Sequence, residues 1–154
     1  MEKIEKLKKI FKREGLDGYI IPKNDEFFGE YIPDHNDRLN FISSFSGSYG
    51  LALILKDKNY LFVDGRYTLQ ANNQSKKKFK VITIPDKMPS DILKGKKLII
   101  GFDPNLYTKK SLSIFFGKSE CKYKPLLKNL IDEIWKRKVK KNENKFFILP
   151  SGCV

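Results

Sequence analysis

The sequence predicts an α/β domain of three layers, with a mixed β-sheet flanked by helices. Three observations carry this. Short apolar runs closed by proline or glycine alternate with stretches of helical periodicity. Two of those runs are joined by Asp57-Lys58-Asn59, a turn sequence that makes a hairpin and so a mixed rather than wholly parallel sheet. With 154 residues, 40% hydrophobic and 13% aromatic, the chain can fill one core.

The elements follow in order. Ile4, Leu7, Ile10 and Phe11 share a helical face, and Gly15 is placed to end that helix. Gly18 to Ile21 reads as a buried strand stopped by Pro22. Residues 23 to 47 are polar and punctuated, with one short helix expected near Asp37 to Ile42. Tyr49 to Leu55 and Tyr60 to Val63 are the hairpin strands, and Arg66 to Asn73 should be helical. Val81 to Ile84 is a strand closed by Pro85, and Ser90 is a candidate cap for a short helix through Leu93. Lys97 to Phe102 is another strand, and Thr108 caps a helix through Phe116. Cys121 to Tyr123 is a brief strand, and Leu130, Ile131, Ile134 and Trp135 form one face of a last helix.

This organisation places one domain over residues 1–136. From Lys136 to Lys145 the chain is charged and asparagine-containing, as linkers are, and Phe146 to Leu149 then resumes like a new strand. Residues 137–154 are therefore expected to be a linker and the truncated start of a second domain.

The net charge of +13 raises the question of nucleic acid. Only four of the 31 basic residues are arginine, the bidentate reader of bases and phosphates, and the lysines are spread along the whole chain. A solvated lysine-rich surface is the favoured account, and no specific nucleic-acid partner is expected. No apolar run approaches the roughly 20 residues that cross a bilayer, and the amphipathic start Glu2-Lys3-Ile4-Glu5-Lys6 is no signal peptide. Cys121 and Cys153 fit no metal or redox spacing. The expected setting is cytoplasmic and reduced, with no membrane partner.

The first candidate site is Asp64-Gly65-Arg66-Tyr67. Glycine would let the chain turn sharply at the end of an apolar strand, and the following helix could present Arg66 outward to a carboxylate or peptide carbonyl. The alternative is a structural ion pair of Arg66 with Asp64 or Glu30, which residue types alone favour. A second candidate is the loop holding Asp25, Glu26, Glu30, Asp34, His35 and Asp37, whose carboxylates and imidazole could hold a metal or exchange protons. Its spacing matches no metal loop, so hydrogen bonding and helix capping by Asp34 or Asn36 are the stronger reading. The run from Ser43 to Gly50 has neither a phosphate-loop lysine nor a nucleophile elbow, and reads as a tight turn feeding a strand. Asp132 and Glu133 lie on one helical turn, where an exposed face is favoured over a catalytic pair.

Five phrases stand in order: Tyr19 to Pro22, Glu30 to Pro33, Ser43 to Gly50, Asp64 to Ala71, and Asn129 to Trp135. Together they resemble the amino-terminal domain of aminopeptidase P, the Xaa-Pro aminopeptidase branch of the creatinase and prolidase group. Gly101-Phe102-Asp103-Pro104 adds a lesser match to that family's Gly-x-Asp-Pro. Ser44 departs from the pattern, standing where glycine is common, so a slightly different local backbone is expected.

The resemblance implies a creatinase N-terminal-like fold and a non-catalytic role. Members carry two related amino-terminal domains and a pita-bread catalytic domain with two divalent metal ions, usually manganese, that cleave the bond before a penultimate proline. His35 is the only histidine here and no segment resembles the metal-binding strands, so this chain is expected to lack the metal site and to be inactive alone. The resemblance turns the balance at Arg66 toward substrate contact, with Asp64 and Tyr67 orienting it and Glu30 and Tyr31 as neighbours. Expected partners are the family's second and catalytic domains, short proline-containing peptides and further copies in a homo-oligomer. The alternatives are a stand-alone peptide- or protein-binding or oligomerisation module and, behind it, a polyanion binder.

Overall fold

The computed structural model describes residues 2–26, 28 and 32–136. Glu30, Tyr31 and the segment 137–154, with its expected linker and second-domain start, lie outside the described residues.

A six-stranded sheet forms the middle layer. Its strands are β1 (Gly18–Pro22), β2 (Gly50–Leu55), β3 (Asn59–Asp64), β4 (Lys80–Ile84), β5 (Ile99–Phe102) and β6 (Lys122–Pro125), in the order β4-β3-β2-β1-β5-β6. The hairpin partner β2 runs against β1 and β3, while the β3–β4, β1–β5 and β5–β6 pairs are parallel. The sheet is mixed, as the Asp57-Lys58-Asn59 turn predicts. Five strands therefore end at one edge of the sheet, and β2 begins there.

Helices cover both faces, which is why the strands read as continuous apolar runs rather than alternating ones. On one face lie α1 (Glu2–Glu14), α2 (Arg38–Ser43), α3 (Thr68–Ser75) and α6 (Leu130–Ile134). Ile4, Leu7 and Phe11 of α1 pack there with Ile21, Ile54 and Val63 of the sheet. On the other face lie α4 (Pro89–Ile92) and α5 (Lys109–Phe116), where Phe116 and Leu93 pack with Leu53, Phe62 and Ile100. β2 shows the period of two directly: Ala52 and Ile54 enter the first core, Leu51, Leu53 and Leu55 the second.

Local chemistry sets most boundaries where expected. Gly15 takes φ 71° after α1, the left-handed value that suits glycine at a helix end. Thr108 caps α5, its hydroxyl accepting from the Ser111 N–H at 3.0 Å. Four expectations need correction. Ser90 lies inside α4, whose start is set by the Asp91 carboxylate accepting from the Met88 N–H at 2.7 Å. The segment after Asp64 opens as a 3-10 turn over Gly65–Tyr67 before α3 begins, because Asp64 caps the turn itself. Asp37, rather than Asp34 or Asn36, caps α2 by accepting from the Asn40 N–H at 3.1 Å.

The fourth correction concerns α6, where the turn carrying Asp132 and Glu133 is tied down rather than a free face. Arg38 is only 3% exposed and grips Asp132 with Nε and a terminal nitrogen at 2.9 and 3.1 Å. Glu133 accepts from Arg13 on α1 at 2.9 and 3.0 Å. The Asp103 of the Gly-x-Asp-Pro step is likewise structural. It is buried, accepts from Asn129 at 2.8 Å, and bonds the Asn105 N–H at 2.9 Å.

Candidate functional site

The site lies at the edge where β1, β3, β4 and β5 end, the edge at which open α/β sheets bind ligands. β3 delivers Asp64 there, and its carboxylate accepts from the Arg66 N–H at 2.8 Å, fixing the turn. The same carboxylate holds the guanidinium through Nε and a terminal nitrogen, both at 3.1 Å. Arg66 still leaves 73% of its side chain exposed. Hydrogen bonds from that guanidinium and backbone hold the Asp64 carboxyl below its usual range.

The ion pair named as one alternative is therefore present, with Asp64 as partner. It does not consume the arginine, whose five donors exceed what one carboxylate takes. Gly65 proves less necessary than expected. A Cβ there would meet Thr83 Cγ2 at an ordinary 3.7 Å, and its φ is not positive, so the cap rather than the glycine makes the turn.

Tyr67 sits behind the arginine. Its ring centroid is 5.2 Å from Arg66 Cζ, and its edge meets the Phe45 ring at 5.9 Å. Its hydroxyl pairs with Ser48 at 2.6 Å. The Ser43-to-Gly50 run is thus a support for Tyr67, and it is pinned in turn: Ser46 is bonded through its N–H by Gln74, and through its hydroxyl by Gln70 and Gln74, both on α3. Ser44 ends α2 at φ 66°, a left-handed conformation that glycine adopts freely, so the departure from the family pattern falls on a position that favours glycine.

Other residues reach this edge without a local signal in the sequence. A groove of about 330 Å3 runs from Asp64 past Ile84 and Met88 to Ile114 and Phe115. Tyr49 and Phe115 also line a smaller cavity of about 60 Å3 bordered by Asn24 and Tyr107. Burial raises the Tyr107 phenol well above its usual range and raises Tyr49 to a lesser degree. The acidic loop is structural where described: Asn36 donates to the buried Asp25 at 3.2 Å and Lys23 pairs with Asp37.

Among the described residues no group of three or more His, Cys, Asp or Glu side chains is placed to hold a metal ion. A dinuclear centre does not fit these residues. No helix among them is long and apolar enough to cross a membrane.

Fold and site together define an α/β domain that presents an arginine at the carboxyl edge of its sheet. Residues 3–125 match the Creatinase/Prolidase N-terminal domain, and the chain belongs to that family. It is 35% identical over 144 residues to a probable Xaa-Pro aminopeptidase P of Laccaria bicolor, covering 87% of this chain and 22% of that protein. Aminopeptidase P1 of Lotus japonicus is 36% identical over 127 residues, covering 78% of this chain and 19% of that one. The chain thus spans about a fifth of the length of these relatives.

Among solved structures, an X-prolyl aminopeptidase of Caenorhabditis elegans superposes with a TM-score of 0.79 at 30% identity, covering 90% of this chain and 26% of that one. That protein is described as a cytosolic enzyme with a di-nuclear active site. The N-terminal domain of a cytoplasmic peptidase from Mycobacterium tuberculosis shares the fold, with a TM-score of 0.67 at 21% identity over 87% of this chain and 98% of that one.

Proposed function

We propose that this chain is the non-catalytic amino-terminal domain of a cytoplasmic Xaa-Pro aminopeptidase, and that Arg66 is its contact to the peptide. The supporting observation is one arrangement: a guanidinium fixed at its base by Asp64, backed by Tyr67, and left largely open at the carboxyl end of β3. An arginine so held can donate directional, charge-assisted hydrogen bonds to a carboxylate or carbonyl. The similarity over 87% of this chain to a protein named for that activity supports this reading of the substrate class.

The metal ions and hydrolytic residues belong, on this reading, to the part of the relatives that this chain does not span. Manganese is the proposed metal there. Packing against those further domains and self-association are the proposed assembly roles, with Glu30 and Tyr31 as neighbours of the peptide.

The test is an Xaa-Pro peptidase assay with added manganese, on this chain alone and mixed with a separately produced catalytic portion. No turnover is expected alone, and turnover is expected on mixing. In the mixture Arg66→Ala should lower kcat/KM by about tenfold or more, the worth of a charged hydrogen bond. Turnover by the chain alone, or an unchanged kcat/KM for Arg66→Ala, overturns the reading.

A further inference from the structure

We propose that the groove beside Asp64 and the small cavity behind its wall form one subsite for an apolar residue of a short peptide. This rests on the reading of Arg66 as a peptide contact and adds where the neighbouring side chain lies. The groove, about 330 Å3, is walled by Tyr49, Ile84, Met88, Ile114 and Phe115, and Asp64 is the one charged residue among those described that line it. Ile114 is 57% and Tyr49 44% exposed, in a chain whose surface is otherwise rich in lysine. Its volume falls in the range of small-ligand pockets, which combine apolar walls with a few placed polar groups.

The order of charges selects the occupant. The Arg66–Asp64 pair borders the groove through Asp64, and the other lining residues are apolar or aromatic. A short peptide has the same order, with a carbonyl or terminal carboxylate for the guanidinium, and an adjoining side chain for the wall. With the pair closed, the guanidinium donors that Asp64 does not take remain open to that carbonyl or carboxylate. A purely apolar ligand would leave the pair unused, and a polyanion would meet Asp64 at the mouth of the groove.

The cavity behind Tyr49 and Phe115 adds a polar floor. Tyr107 borders it, nine-tenths buried, and its hydroxyl has no hydrogen-bond partner among the described residues. A buried donor without an acceptor is disfavoured, so an acceptor reaching the cavity is favoured there. Tyr49 lines both spaces and is half-exposed, so its rotation joins them. The subsite therefore favours an apolar side chain in the groove and offers one hydrogen bond, from the Tyr107 hydroxyl, to a backbone carbonyl of the same peptide.

The test titrates Leu-Pro-Leu and Gly-Pro-Gly into the full chain, following by NMR the methyl groups of Ile84, Met88 and Ile114 and the Arg66 Nε–H. Leu-Pro-Leu should move the methyls saturably and bind at least about tenfold tighter than Gly-Pro-Gly. Ile114→Gln, at an exposed position, should erase that difference without lowering Tm, and Tyr107→Phe should weaken Leu-Pro-Leu alone. Shifts confined to Arg66, with equal affinity for both peptides, overturn the subsite and leave the Arg66 reading standing. Methyl shifts with Arg66 silent uphold the groove and remove that reading, while silence at both overturns both. Full Leu-Pro-Leu affinity in Tyr107→Phe removes the cavity from the subsite.

Discussion

Asp64 performs two jobs at Arg66, and they respond differently to pH. Its carboxylate caps the turn through the Arg66 N–H and holds the guanidinium through two further bonds. Because both act on the charged form, the folded carboxyl lies below the usual carboxylate range, with the Arg66 side-chain bond the larger cause. A lowered carboxyl contributes stability that is full above its unfolded pKa and is lost as pH falls through the folded one. The pair should therefore stay closed at neutral pH and open only below about pH 4. A carboxyl-detected NMR titration should place the Asp64 midpoint below that of an unpaired aspartate, and an unshifted or raised midpoint would contradict the bidentate pair. Since the group is open to solvent, the pair is a positioning device for Arg66 rather than a source of stability.

The elements were legible wherever their signals were local. The hairpin was written in Asp57-Lys58-Asn59, and the end of α1 in Gly15. The start of α5 was written in Thr108. Misreadings arose where two nearby residues could do the same work: Ser90 and Asp91 both suit a helix start, and geometry gave the role to Asp91. At the site, Arg66, Asp64 and Tyr67 were legible because they are consecutive, whereas Tyr49, Tyr107 and Ile114 meet only through the sheet and α5. Ser44 shows an element end that the sequence leaves under strain. It is exposed, non-glycine and left-handed at φ 66°. Ser44→Gly should raise stability by about 0.5–1 kcal/mol in denaturant unfolding, with the m-value unchanged. A loss of stability would show that the serine side chain earns its position.

Across the whole molecule, distant parts of the chain are joined through Arg38. It is buried on α2, grips Asp132 on α6 94 positions later, and reaches Glu26 in the intervening loop at 3.3 Å. Beside it, Phe41 of α2 stacks on Trp135 with centroids 4.7 Å apart, and Lys3 of α1 lies over the same Phe41 ring at 4.3 Å. Three helices thus meet at the end of α6. No local pattern announces this, because an arginine and an aspartate that far apart pair only once the sheet has set their distance. The buried guanidinium is costly to desolvate, so the pair matters mainly for what its disruption leaves behind. Arg38→Ala strips Asp132 and Glu26 of this cation and opens a cavity between α2 and α6. It should cost about 3 kcal/mol, visible as a lower denaturant midpoint. Hydrogen exchange should quicken first in α6, whose other holds are Leu130 and Ile131 in the core, the Leu130 N–H donated to the Tyr19 hydroxyl at 3.2 Å, the Asn129–Asp103 bond, the Phe41–Trp135 stack and the Arg13–Glu133 bond. Uniform exchange across all elements in Arg38→Ala would mean that α6 is held by its apolar contacts, and that the arginine serves the loop instead.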